Sequence, residues 1–493
     1  MRTMTVLLAI ISLASADWTT VGGNSEHNGL CYDEGPTHGA MIHEGWSPYS
    51  TLGMQVYAEG SLAVTMRYDF GTMTGTLACH ELPTAETLWT RVYGPAQSKI
   101  LPIGFRDNRI YCRNFKETGN DTVYCIAPQD GSILWQSRWT VERGITWAAN
   151  YTPDGDIILA GSGAVILCLD KETGDTVWTR YRPLPNTGAE WMCVHDSILY
   201  TWTGFINRPK KLLAISTNTG AILDSSPELP GDGDQEWPFA VGPDGVIYCQ
   251  RDGGLLHALT YDSAGFHERW SRTSGGGVWM NFGVSQYGLY APMGRRLYRL
   301  DPASGLALDS SPELVGAREL VPRISIDRDN YLFVMATTGD GEGKLWALTP
   351  DLDTLWHEDY PYAYYSGPAF TSGLFMIMAP AGALMRVYEH PMAVEEREGP
   401  AADGRRLTAC PNPAQIGSTV ALRLGETRDM TQTSDVWDRV PSRVAVYDAL
   451  GRLVHQSAIT GPQSEITLDL RGLHAGTYYC RVGSETARLT LTE

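Results

Sequence analysis

The sequence predicts an all-β repeat fold, and three observations predict it. Trp (15), Tyr (24) and Gly (52) are abundant while charged residues make up only 19%, a balance that suits pleated strands joined by tight turns. A short strand, a polar turn often containing Gly, and an apolar residue followed by Trp or Asp recur along most of the chain. The period of roughly 40–47 residues is that of one four-stranded blade of a β-propeller.

The N-terminus comes first. Met1-Arg2 is basic, Val6 to Ile11 is apolar, and Ala14-Ser15-Ala16 supplies a small-x-small cleavage site, so residues 1–16 are expected to be a signal peptide. The apolar run is too short to span a bilayer, and no other stretch is long enough, so no transmembrane segment is expected. The net charge of −18 argues against a nucleic-acid partner, which needs a basic surface. Nine cysteines leave at least one unpaired outside the cell. Cys112 and Cys125 fall on adjacent predicted strands, where a cross-strand bridge or two buried free thiols are both compatible with the sequence. Cys410 with Cys480 poses the same choice.

The repeat then runs in seven copies. Leu77-Ala78-Cys79-His80 leads to Leu88-Trp89, and Tyr124-Cys125-Ile126-Ala127 leads through Asp130-Gly131 to Leu134-Trp135. Leu167 to Trp178 is the clearest copy. Leu213 to Asp224, His257 to Trp270, Tyr298 to Asp309 and Trp346 to Trp356 follow. The string Leu-Asp-Ser-Ser-Pro-Glu-Leu occurs twice, at Leu223–Leu229 and Leu308–Leu314. A turn pair such as Asp107-Asn108 or Asp154-Gly155 precedes a further strand in each copy, as a hairpin requires. Ser372 to Met378 and Leu384 to Tyr388 make an eighth unit without its own closing Trp. A propeller needs its ring closed to avoid exposed edges, and Trp18 stands alone before the first copy. Eight blades closed by a Trp18 strand are therefore expected over residues 17–394, with seven blades as the alternative.

The turn-Gly-to-Trp copies resemble the pyrroloquinoline quinone (PQQ)-type propeller repeat, Ala-x-Asp-x-x-Thr-Gly-x-x-x-Trp. Leu169 to Trp178 matches it closely, and Trp18 to Asn24 looks like the start of that family. The resemblance implies the fold without fixing a function, because the repeat Trp and Gly residues pack blades together. Family members that are quinone-dependent alcohol dehydrogenases carry a vicinal Cys-Cys pair, an Asp base and Glu/Asn calcium ligands. No two cysteines here are adjacent, and the Asp-Glu-Asn set matches no motif. The expectation is therefore a scaffold propeller with neither PQQ nor calcium, and no metal ligands are assigned.

Glu395 to Arg406 is charged and rich in Gly and Pro, so residues 395–406 read as a linker. From residue 407 to 493 the period changes to short alternating strands. Pro411-Asn412-Pro413, Val446-Tyr447-Asp448 with Gly451-Arg452-Leu453-Val454, and Ala475-Gly476-Thr477-Tyr478 resemble the C-terminal sorting domain of type IX secretion substrates. The resemblance implies a small immunoglobulin-like β-sandwich, passage by way of the periplasm through outer-membrane secretion machinery, and a secreted or cell-surface location. The polar segment Gly425 to Arg443 is longer than the family's usual connection.

Four consecutive copies carry a Trp just before the innermost strand: Trp147, Trp191, Trp237 and Trp279. The equivalent positions elsewhere are Leu101, Val321 and Gly367. These rings are read as an aromatic crescent for a sugar or peptide ligand, or as filling between blades. Asp232-Gly233-Asp234-Gln235-Glu236 lacks the spacing of a calcium loop and reads as an acidic turn. Gly339 to Lys344 reads as a hairpin turn, since a phosphate loop needs Lys-Ser/Thr and a following helix. His27, His38 and His43 lack metal-ligand spacing and read as solvated. No Gly-x-Ser-x-Gly elbow or His-Glu-x-x-His pair occurs, so no catalytic residue is assigned. The reading is a binding and interaction propeller for an extracellular carbohydrate or protein. The alternatives are a quinone-dependent oxidoreductase and an extracellular polymer-degrading enzyme using the propeller channel.

Overall fold

The repeat at residues 150–181 shows how the sequence makes a blade. Its strands Asn150–Tyr151, Ile157–Ala160, Val165–Leu169 and Thr176–Tyr181 pair antiparallel in that order. Ile157–Ala160 is buried at every position, whereas Thr176–Tyr181 buries only Trp178. A sheet packed on both faces needs a continuous apolar strand, and an outer strand needs alternation. Between the third and fourth strands, Asp170 Oδ1 accepts from the N–H groups of Glu172 (2.9 Å) and Thr173 (2.8 Å) and from the Thr173 hydroxyl (2.9 Å). Gly174 ends the turn at φ +71°, and a Cβ there would lie 2.4 Å from the Trp135 ring of the preceding blade. The Gly of the repeat is thus required both by its backbone conformation and by its neighbour.

That neighbour contact is the general joint between blades. The indole N–H of Trp89 donates to Pro128 O (2.7 Å), that of Trp135 to Lys171 O (2.9 Å), that of Trp178 to Thr217 O (2.7 Å) and that of Trp270 to Pro302 O (2.9 Å). Each acceptor lies in the third turn of the next blade. Arg180 and Arg272 add bonds to the Gly220 and Gly305 carbonyls of those turns. Where Asp replaces Trp, other contacts appear. After Asp224, Tyr200 packs edge-on against Tyr261 and Phe266 of the following blade. After Asp309, the joint runs backwards, with the Trp346 indole donating to Leu314 O (3.2 Å). The repeated Leu-Asp-Ser-Ser-Pro-Glu-Leu folds identically twice. Ser226 and Ser311 accept from the N–H of Leu212 (2.9 Å) and Leu297 (3.0 Å), and Leu229 and Leu314 are buried.

The computed structural model describes residues 18–31 and 35–36, the strands of 41–389 with most of their turns, and strands alone between 407 and 492. Seven four-stranded sheets are each built from consecutive strands: blade 1 (57–92), blade 2 (99–141), blade 3 (150–181), blade 4 (192–225), blade 5 (239–273), blade 6 (283–310) and blade 7 (321–360). These seven contiguous blades match the seven-blade alternative. One further four-stranded sheet is composite. Ala369–Thr371, Phe375–Met378 and Met385–Glu389 are completed by Met41–Gly45 from near the N-terminus, in register Glu44 to Arg386.

The expected closure by a Trp18 strand is therefore corrected. Met41–Gly45 is the outer strand, and Trp18 makes an isolated bridge to Ala58 of blade 1. Trp18 still joins the ends of the ring, but as a buried side chain. It lies in one apolar cluster with Val56 and Ala63 before and in blade 1, Phe333 and Met335 of blade 7, and Phe370 and Val387 of the composite sheet. The Trp356 indole donates to Pro36 O (3.0 Å), so the N-terminal segment supplies the acceptor that a third turn supplies elsewhere. First strands of blades 1 and 2, of consecutive blades from 3 to 7, and of the composite sheet and blade 1 lie side by side around an axis.

The chain divides into two compact units, 1–390 and 391–493. The second holds a three-stranded sheet (Leu407–Cys410, Thr419–Leu424, Glu465–Asp469) and a five-stranded sheet. In the latter, Arg443–Asp448 pairs with Gly476–Val482, placing Tyr447 opposite Tyr479 and Asp448 opposite Tyr478. Cys410 and Cys480 fall on strands of different sheets. Pro411, Asn412, Pro413, Gly451 and Arg452 lie outside the described residues, as do residues 395–406.

Candidate functional site

The axis of the propeller presents an edge-strand problem. Each blade's first strand has no inner neighbour, so its backbone N–H groups facing the axis need acceptors. Residues 18–31 supply them in chain order. Trp18 exchanges backbone bonds with Ala58 of blade 1 (2.9 and 3.1 Å). Thr19 O accepts from Phe105 N of blade 2 (2.9 Å). Ser25 Oγ accepts from Tyr151 N of blade 3 (3.1 Å), and Ser25 O from Val194 N of blade 4 (2.8 Å). Glu26 O then accepts from Val241 N of blade 5 (2.9 Å), Asn28 O from Val284 N of blade 6 (2.8 Å), and Gly29 O from Ile326 N of blade 7 (2.7 Å). Cys31 N returns a bond to Ile326 O (2.7 Å). One peptide passes all seven contiguous blades, at the ends of their first strands next to the first hairpin turns.

Side chains fix this strap. The Asn28 side chain donates to Val241 O (3.1 Å) and accepts from Leu30 N (3.0 Å) and Asn24 Nδ2 (2.8 Å). Thr20 donates to Ala149 O (2.6 Å), and the Tyr151 hydroxyl to Thr19 O (3.0 Å). The Arg106 guanidinium lies 4.9 Å above the Tyr151 ring. Gly29 has φ +77°, and a Cβ there would meet Ile324 O at 2.7 Å.

Two titratable groups, His27 and His195, act on the strap itself, and a third, Asp327, holds Gly35 just beyond it. His27 is buried, at 1% exposure, with Nε2 2.9 Å from Asn150 Oδ1. Its expected solvation is thus corrected: burial holds its pKa down to about 4, partly offset by the Asn150 bond and Glu26. Asp327 accepts from Gly35 N (2.9 Å), Tyr331 N (2.8 Å) and Asp329 N (3.0 Å). These donors favour the anion, yet burial outweighs them and pushes its pKa up to about 7. His195 Nδ1 lies 3.7 Å from Glu26 Oε1, and that carboxylate raises its pKa against burial.

Elsewhere the described cysteines and the His257 imidazole are buried. None of those cysteines is in a disulfide. Cys112 faces Tyr57 and Leu77, whereas Cys125 packs with Tyr111 and Trp135 on the other face of the sheet. The register sets Cys112 opposite Tyr124 and Cys125 opposite Tyr111, so the two thiols are unbridged. Burial pushes Cys79 and Cys125 up to about 12, which removes the thiolate a nucleophile needs. His257 Nδ1 lies 2.9 Å from Glu268 and directly across the sheet from Cys249. Those are nucleophile, imidazole and carboxylate residue types, but Cys249 and His257 are fully buried and closed to a substrate. Among the described residues no group of His, Cys, Asp or Glu is arranged to hold a metal ion, and no helix is long and apolar enough to cross a membrane.

Trp147, Trp191, Trp237 and Trp279 lie outside the described residues, as do Asp232–Glu236, His38 and most of Gly339–Lys344. Of the equivalent positions, Leu101 is buried in the first strand of blade 2, Val321 starts the first strand of blade 7, and Gly367 precedes that of the composite sheet. The strap was missed by sequence reasoning. Its signal was the Trp-Gly-Gly-Asn run at residues 18–24, read for family likeness and for closure by a strand.

Residues 73–228 match the family model described as outer membrane protein assembly factor BamB, and residues 409–492 that of a secretion system C-terminal sorting domain. The chain carries a PQQ-like repeat region and a C-terminal sorting domain. The sorting domain marks it for secretion to the cell surface by the type IX route. No curated protein matches the sequence. Similar solved structures include the quinohemoprotein alcohol dehydrogenase of Comamonas testosteroni, at 13% identity and TM-score 0.53, covering 76% of this chain and 80% of that one. The computationally designed Ika8 protein matches at 13% identity and TM-score 0.52, covering 71% of this chain and all of that one (100%). BamB from Moraxella catarrhalis has 13% identity and TM-score 0.49, covering 71% and 99%. At such identities the likeness is one of fold.

Proposed function

We propose that the protein is a cell-surface or secreted binding propeller that receives an extracellular carbohydrate or protein at the channel mouth away from the strap. The observation that carries this reading is the strap itself. It occupies the axial edge of seven blades at the first-hairpin end, which leaves the opposite mouth for a ligand. By their place in the sequence alone, Trp147, Trp191, Trp237 and Trp279 precede the first strands of blades 3 to 6. The four rings, on this reading, offer stacking faces to a sugar ring or a flat peptide group. On this reading residues 1–16 are removed as a leader, the composite sheet counts as an eighth blade, and the 407–493 unit is an immunoglobulin-like sandwich that engages outer-membrane secretion machinery.

The test is a glycan and peptide array probed with the purified protein, then with Trp191→Ala combined with Trp237→Ala. A specific hit lost in the folded double variant is expected. An unchanged hit in that variant would sink the assignment of these rings.

A further inference from the structure

We propose that residues 18–31 act as an axial strap that makes the blades unfold as one body rather than one by one. In a repeat array each unit contacts only its neighbours, so stability is a sum of local terms and partial unfolding is cheap. The rim and the cores between blades follow that pattern. Each Trp joint links two adjacent blades, and the cluster around Cys193, Trp202 and Cys249, for example, joins only blades 4 and 5. The strap does not follow it. From Ala58 in blade 1 to Ile326 in blade 7, first-strand N–H groups of seven blades bond to one short peptide. No blade can leave without breaking the strap's register against blades it does not touch.

The seating of the strap makes this testable. Gly29 has no room for a Cβ against Ile324 O (2.7 Å). Asn28 ties blade 5 to blade 6, its side chain donating to Val241 O (3.1 Å) while its carbonyl accepts from Val284 N (2.8 Å). Native-state hydrogen exchange by mass spectrometry, on the full chain, reads each blade separately. Denaturant unfolding followed by fluorescence and by circular dichroism tests whether transitions coincide.

The wild type is expected to give coincident transitions over the propeller and similar exchange from blades 1 to 7. Gly29→Ala is expected to separate the transitions and spread blade exchange rates by at least roughly ten-fold. Asn28→Ala, which keeps the backbone free of any clash, should do the same to a smaller extent if Gly29→Ala fails to fold. Variants that lower the midpoint but keep coincident transitions and uniform exchange overturn the proposal. So does a wild type whose blades already exchange at widely different rates.

Discussion

The rim and the axis of this propeller are held by opposite means. At the rim, Trp135 reaches only the next blade, and its partner turn comes from the next repeat. At the axis, Gly29 and Trp18 are near neighbours in sequence yet bond to blades 7 and 1. The rim joint is written into repeat after repeat but not all, and losing one leaves the others intact, as blades 4 and 6 show with Asp224 and Asp309. The axial joint is written once. A local lesion at the rim should therefore stay local, whereas one at the axis should be felt throughout.

Four measurements break or sharpen that contrast. Trp18→Ala removes a fully buried ring that packs 5.9 Å from Phe370, and a loss of about 3–5 kcal/mol is expected in denaturant unfolding.

Next in size is the pH response of the buried His27 and Asp327. Between about pH 4 and 6.5 an unfolded chain takes a proton on His27 that the fold refuses, so this residue makes stability rise with pH. From about pH 4 to 7 the fold keeps a proton on Asp327 that the unfolded chain gives up, so this residue makes stability fall as pH rises. The two slopes oppose each other. His27→Gln should unmask the fall and Asp327→Asn the rise, each about 3 kcal/mol across the window, read from unfolding midpoints at about pH 4.5 and about pH 7. Parallel curves for wild type and both variants would contradict this.

At the rim, Trp178→Phe keeps an aromatic ring but loses the 2.7 Å bond to Thr217 O. A loss of about 1 kcal/mol is expected, with faster hydrogen exchange confined to blades 3 and 4. Smallest of all, Leu134→Ser and Val177→Ser alter residues that sit beside the joint Trp but are 51% and 49% exposed. Changes within about 0.5 kcal/mol are expected for each. A larger loss would show that the rim is held by more than its Trp.

What could be read from the sequence follows the same division. The blades were legible because a hairpin, a turn Gly and a packed Trp are local, and local rules repeat. The tail was legible from ordered short motifs. Met41–Gly45 was not, because nothing in those five residues announces a partner at Met385–Glu389. The strap was not, because its shape is imposed by partners scattered from Ala58 to Ile326 and it has no period of its own. Trp18 was read as an outer strand closing an eighth blade, but Met41–Gly45 holds that position and Trp18 bridges Ala58 of blade 1. His27 was read as solvated because its burial comes from Asn150 and the surrounding blades, not from its neighbours in sequence.

The strap also imposes an order on time. A chain made or threaded from its N-terminus presents Trp18 early, whereas Ile326 and Phe370, which hold the strap and its tryptophan, arrive only with blade 7 and the composite sheet. Over that interval the strap gains its partners blade by blade, from Ala58 to Ile326, while the Met41–Gly45 strand waits for Met385–Glu389. Closing the ring therefore joins residues near the start of the propeller, Trp18 and Met41–Gly45, to residues near its end, Phe370 and Met385–Glu389.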